Sequence, residues 1–199
     1  SVELAKKVGA DIVIVSDPDA DRMGIAVPDS SGRWTNLSGN QGAVLMGYFY
    51  LNALHEAGRL PAEPVVIKTS VTTDLLRDVA EGFGAEVIGD LLVGFKFIGD
   101  RMEHLPKEKK FVFAAEESVG YLFTDGYRDK GAETPAVVAA EMGAWCKAKG
   151  ITPIDLLETI YEKYGYYAER LYYRLIEGFG AFDRMNLAMG AFRKQFPKE

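Results

Sequence analysis

Short apolar runs, each ending in a loop of polar or charged residues, recur along the chain. They are Ile12-Val13-Ile14-Val15 before Ser16, Val65-Val66-Ile67 before Lys68, and Phe111-Val112-Phe113-Ala114 before Ala115 and Glu116. Stretches of helical periodicity separate them. Strands alternating with helices in this way specify βαβ units and a parallel sheet covered on both faces. The expected fold is therefore α/β, with mixed, largely parallel sheets flanked by helices in three α/β/α layers. In open sheets of this kind ligands bind beyond the carboxyl ends of the strands, so the loops after the apolar runs are where chemistry is sought.

The remaining elements follow from local signals. Met23–Val27 reads as a strand returning beside the first run, and the breaker-rich turn Pro28-Asp29-Ser30-Ser31-Gly32 lets Arg33–Leu37 pair back as a hairpin. Ser38 is placed to cap a long helix from Asn40 to Ala57, with Gly58 as its stop and Pro61 and Pro64 marking a linker. After Val65–Lys68, helices are expected from Thr72 or Thr73 to Glu81, around Phe97–His104, over Pro135–Lys149, and from Pro153 to Tyr164; Glu86–Ile88 supplies a further strand. The alternation through Tyr167, Glu169, Leu171, Tyr173 and Leu175 fits a half-covered strand, and Asp183–Phe196 has helical spacing. Two tandem α/β domains are expected, over 1–60 and 61–165, with a strand and helix over 166–199. Ser1–Gly9 carries Val2, Leu4, Ala5 and Val8 at helical spacing without a start Met, so the chain reads as a piece beginning inside a helix.

Composition narrows the partners. An apolar fraction of 48% is too high for a disordered chain, and no window approaches the roughly 18 to 20 apolar residues of a membrane helix. Net charge is −6, which argues against nucleic acid as a partner, because that affinity rests on excess Lys and Arg. No membrane partner is expected either. Cys146 has no second cysteine to pair with, and His55 and His104 are too few for a Cys/His zinc set, so a reducing, cytoplasmic setting is expected.

Chemistry concentrates first in Ser16–Arg22, which reads SDPDADR. Asp17, Asp19 and Asp21 alternate on a tight loop after a strand, where converging carboxylates repel one another unless a cation offsets them. Mg²⁺ fits such a set, since it takes a few carboxylates together with water or phosphate oxygens. Arg22 beside it can bind two phosphate oxygens at once. A solvated acidic turn is the plainer reading of the same residues. An EF-hand fails, because Arg22 and Pro28 occupy the positions that would need Gly and a carboxylate. A haloacid-dehalogenase-type phosphatase with an Asp nucleophile stays as an alternative, although Asp21 stands where that family has Thr or Val. A non-catalytic sugar-phosphate binding module is the other.

Three segments in this order, Asp17-Pro-Asp-Ala-Asp-Arg22, Gly94-Phe-Lys-Phe-Ile-Gly99 and Glu116-Glu-Ser-Val-Gly120, resemble the α-D-phosphohexomutases, the phosphoglucomutases and phosphomannomutases. The resemblance spans roughly residues 1 to 165 and fits the second and third domains of that family. The DPDADR form looks most like the branch with phosphoglucomutases and phosphopentomutases. It implies Mg²⁺ on Asp17, Asp19 and Asp21, and sugar hydroxyls bound by Glu116 and Ser118. It implies that Lys68 lies near the reacting hydroxyl, with Arg22 beside it in the catalytic set, and that Lys96, Arg128 and Lys130 contact phosphate or substrate. The plainer readings are a surface turn at Glu116 and Glu117 and a strand-end lysine reaching to water at Lys68. Some relatives carry His at the position of Phe95, so a histidine acid/base is not available there.

The resemblance also implies a sugar phosphate substrate, interconversion of hexose 1-phosphate and hexose 6-phosphate, and a phosphoserine relay through a bisphosphate. No segment here resembles that family's serine loop (TASHNP) or its distal phosphate loop (RxSGTEP). The chain is therefore expected to be a central portion that works with further domains of a longer chain.

Overall fold

The computed structural model describes residues 1–170 and 175–194. They divide into two compact units, Ser1–Tyr167 and Ala168–Glu199.

In the first unit, helix α1 (Val2–Val8) leads into β1 (Val13–Ser16), which pairs antiparallel with β2 (Met23–Pro28), and β2 pairs antiparallel with β3 (Trp34–Asn36). This sheet is antiparallel throughout, and the expected parallel character resides in the second sheet. Its edge strand β1 is half-covered, with Val15 47% exposed, whereas an all-apolar run predicts a buried strand. An edge position leaves one side of the strand without a neighbour, which the run of residues alone does not disclose.

Helix α2 (Gly39–Glu56) follows, opened by Ser38, whose hydroxyl accepts from the Gln41 backbone while the Gln41 side chain returns a bond to the Ser38 N–H. Reciprocal capping of this kind satisfies two donors that a helix end otherwise leaves orphaned. Ser38→Ala is expected to lower stability by about 1 kcal/mol, read as a shift in urea midpoint; an unchanged midpoint would show that the cap is idle.

Strands β4 (Pro64–Thr69), β5 (Glu86–Leu91), β6 (Lys110–Glu116) and β7 (Gly120–Leu122) form a second sheet in the order β5-β4-β6-β7. β4 runs parallel to both β5 and β6, and β7 turns back antiparallel on β6. Every residue of β4 is buried, as a strand covered on both faces requires. On one face Val65, Ile67, Ala114 and Leu122 pack against Phe95, Ile98 and Met102 of α4 (Phe95–Glu103). On the other, Val66, Phe113 and Ala115 join α2, α3 (Leu75–Gly82), α5 (Glu133–Ala148) and α6 (Pro153–Tyr164) in one core. Three layers result, α/β/α. Helix α6 begins at Pro153, with Thr152 and Asp155 forming a second reciprocal cap.

Helix α2 closes the first block in sequence, yet its neighbours include α3, α5, α6 and β6. The Gly58–Pro64 stretch thus joins elements packed into one unit. Tyr161, Tyr164 and Tyr167 pack against the same core.

In the second unit, helix α7 (Ala181–Lys194) lies where helical spacing predicts one. No strand appears among the described residues 166–170 and 175–180, and Leu171, Tyr172, Tyr173 and Arg174 of the expected strand, like Phe196 of the expected helix, lie outside the described residues. Among the described residues no helix is long and apolar enough to cross a membrane.

Candidate functional site

The acidic loop is the turn joining β1 to β2. It is closed by Asp17 accepting at both carboxylate oxygens: Oδ1 from the Arg22 backbone N–H at 3.1 Å and Oδ2 from the Arg22 Nε at 2.7 Å. Burial of the Asp17 carboxyl works to raise its pKa, but these bonds outweigh it and hold Asp17 down at about 2. One carboxylate oxygen from each of Asp17, Asp19 and Asp21 lies within 4.8 Å of the others. Octahedral Mg²⁺ binds oxygens at about 2.0–2.1 Å, so the loop would draw inward to gather the set. Asp21 Oδ1 is buried without a hydrogen-bond partner, and it faces Arg22 Nε at 3.5 Å. An anionic oxygen left unsatisfied in this way is costly unless a cation reaches it. The residues fit the ion.

The second half of the site comes from the loop after β6. Glu116 is only 3% exposed, and its Oε1 accepts the Gly94 backbone N–H at 3.0 Å, which ties the Glu116–Gly120 segment to the GFKFIG segment. Burial raises the Glu116 pKa above the usual carboxylate range, against the lowering effects of the Gly94 N–H and the Lys130 charge. Ser118 is exposed on the same loop.

Among the described residues two non-glycine residues sit in left-handed backbone, and both lie in these loops: Ala20 at φ 56° and Val119 at φ 61°. For a β-branched residue this conformation is strained. The carbonyl of each accepts a main-chain bond from a residue far along the chain. Ala132 N–H donates to Ala20 O at 2.8 Å, and Met23 N–H donates to Val119 O at 3.0 Å. Main-chain bonds thus fasten the acidic loop to the residue before α5 and the Glu116–Gly120 loop to the start of β2, next to the acidic loop.

Helix α2 supports the Glu116–Gly120 loop from below. A Cβ on Gly39 would lie 1.8 Å from the Glu117 carbonyl oxygen and 2.9 Å from the Val119 nitrogen. The Tyr121 hydroxyl donates to Gly39 O at 3.1 Å, and Asn40 Oδ1 accepts the Thr73 N–H.

Of the residues expected from sequence, the structure brings together Asp17, Asp19, Asp21, Arg22, Glu116 and Lys130. Lys130 Nζ stands 3.0 Å from Asp21 Oδ2. Lys68 is buried at the end of β4, its ammonium donating to Thr72 O at 2.7 Å and paired with Asp74 Oδ1 at 3.0 Å. That pairing lowers the Asp74 pKa. Arg128 is paired with Glu103 of α4 at 2.9 Å, and Lys96 is exposed with its ammonium over the Phe97 ring. These two are held on α4 and its neighbouring loop and make no direct bond to the acidic loop or Glu116. Sequence reasoning missed the Gly94 N–H, Gly39, Asp74 and the two left-handed residues. A glycine at the first turn of a helix is a usable hint of close backbone approach; Ala20 and Val119 give no such signal.

The dehalogenase-type alternative expects a single Rossmann-like sheet with the aspartates after a parallel strand. Here the aspartates turn an antiparallel hairpin, and two sheets present the two loops.

The family model described as phosphoglucomutase/phosphomannomutase, alpha/beta/alpha domain III, matches residues 39–164, taking in α2 along with the second sheet. A phosphoglucomutase from Staphylococcus aureus (strain USA300) is 36% identical over 200 residues, covering 100% of this chain and 35% of its own length. A phosphopentomutase from Mus musculus is 32% identical over 206 residues, covering 100% of this chain and 33% of its own. The open form of the exocytosis-sensitive phosphoprotein pp63/parafusin of Paramecium shares the fold, with a TM-score of 0.59 at 22% identity over 80% of this chain and 26% of that one. The chain spans about a third of the length of these curated relatives.

Proposed function

The chain belongs to the phosphoglucomutase/phosphomannomutase family, and on that premise we propose that it supplies the metal loop and the sugar-binding loop of a phosphosugar mutase. The parent enzyme is then an isomerase, interconverting hexose 1-phosphate and hexose 6-phosphate, glucose or mannose, in a cytoplasmic setting. A phosphoserine outside this chain gives its phosphoryl group to the free hydroxyl, and the bisphosphate turns over and returns the other phosphoryl group to the serine. The observation that carries this reading is the convergence of three distant segments: Glu116 holds the Gly94 N–H while Lys130, beside Glu116, holds Asp21.

Asp17, Asp19 and Asp21 would hold Mg²⁺, which supplies charge neutralisation at the phosphoryl group. Arg22 fixes Asp17 through Nε and leaves the other nitrogens of its half-exposed fork as phosphate donors. Glu116, anchored by Gly94, accepts from sugar hydroxyls, and exposed Ser118 adds a donor and acceptor beside it. Lys68, held by Asp74 and Thr72, steadies developing negative charge at the reacting hydroxyl. Lys96, Arg128 and Lys130 contribute further positive charge toward phosphate, with 1–60 and 61–165 as the metal-bearing and sugar-bearing parts, completed by further domains of the longer chain.

With Mg²⁺ and glucose 1-phosphate present, calorimetry on this chain is expected to show weak binding of both, and a coupled assay to show no glucose 6-phosphate. Absence of any binding would remove the reading, and turnover by the chain alone would remove the division of labour.

A further inference from the structure

Lys130 is held more tightly than a surface lysine needs to be. Its ammonium is 3.0 Å from Asp21 Oδ2, and its side chain is 19% exposed. The loop that carries it is fastened to the acidic loop by the Ala132–Ala20 main-chain bond. Its stem runs across Gly120, where a Cβ would stand 2.6 Å from Lys130 Cδ and 3.2 Å from Glu116 Oε2. The ammonium is thus paired with the Asp21 carboxylate of the acidic loop, while its stem runs past the Glu116 carboxylate. The Phe95 ring closes a third side, 5.8 Å from Nζ.

An ion gathered by all three aspartates draws on the same Asp21 carboxylate and repels a neighbouring ammonium. We propose that Lys130 is the built-in counter-ion of the acidic loop: held on Asp21 Oδ2 beside the unpartnered Oδ1, it competes by charge repulsion with a divalent cation on the three aspartates, so metal loading hands Lys130 over to Glu116 and the bound sugar phosphate. The proposal rests on the metal reading of the acidic loop. It makes cation loading and sugar-phosphate capture linked events, since each alters the affinity for the other by the same factor.

Mn²⁺ affinity, read from free Mn²⁺ by electron paramagnetic resonance, tests it. Lys130→Met is expected to bind Mn²⁺ about tenfold more tightly than the parent, the scale of one lost charge-assisted hydrogen bond; Lys130→Arg, which keeps the cation, stays within about threefold. In the unaltered protein, adding Mg²⁺ is expected to shift the Lys130 side-chain nitrogen resonance, and not in Asp19→Asn. Equal or weaker Mn²⁺ binding by a folded Lys130→Met, or a Lys130 resonance unmoved by Mg²⁺ that does bind, overturns the exchange while leaving the metal site standing. A parent protein that binds no Mn²⁺ overturns the metal reading, and the exchange with it.

Discussion

Asp19→Asn is expected to weaken Mg²⁺ binding by about a hundredfold or more while leaving the urea midpoint of unfolding in place. The three aspartates are not equivalent. Asp17 is bound twice by Arg22, and Asp21 is paired with Lys130, so replacing either disturbs the loop as well as any ion. Asp19 is exposed and, among the described residues, makes no direct hydrogen bond or ion pair. An amide of the same shape removes one anionic ligand and little else. Losing a partner that merely orients a ligand costs about 10- to 100-fold in metal affinity, and losing the ligand's charge sits at or beyond the top of that range. Calorimetry gives the affinity and a denaturant curve gives the stability. Unaltered affinity would return the loop to a solvated acidic turn. In the longer parent the same substitution is expected to abolish mutase activity.

The second large effect is expected at Gly39. In an ordinary helix Gly→Ala gains up to about 1 kcal/mol. Here the added Cβ would stand 1.8 Å from Glu117 O and 2.5 Å from Glu117 C, both backbone atoms that cannot swing aside as a side-chain end can. Either α2 or the Glu116–Gly120 loop must move, breaking the Tyr121–Gly39 bond or the Met23–Val119 bond. Gly39→Ala is expected to lose about 3 kcal/mol, at the upper end for an overpacked site. It is also expected to weaken glucose 1-phosphate binding more than Mg²⁺ binding, because the displaced backbone carries Glu117 and Ser118. A denaturant curve fixes the sign; a variant as stable as the unaltered chain would show that the helix and loop yield to the added methyl.

What could be read from the sequence had a local cause. Pro153 at a helix start, Ser38 and Thr152 as caps, and the apolar runs of β4 and β6 each follow from a rule acting over a few residues. The acidic loop was legible because its carboxylates adjoin in sequence. What was not legible has partners far along the chain. The packing of α2 against the second sheet and α3, α5 and α6 was hidden by Gly58, Pro61 and Pro64, which mark a turn in the chain without saying what folds against what. The Gly94 N–H on Glu116 is a main-chain donor, invisible in any side-chain motif. The strained conformations of Ala20 and Val119 run against the preferences of their residue types and are imposed by tertiary bonds.

That imposition bears on the order in which the chain acquires its structure. Left alone, Val119 would leave the left-handed region, and what keeps it there includes a bond to Met23, far away in sequence. Such a bond forms only after the entropy of closing a long loop has been met. Neither the first hairpin nor the second sheet can shape the Glu116–Gly120 loop by itself. The loop is expected to take its final shape only once both sheets have come together.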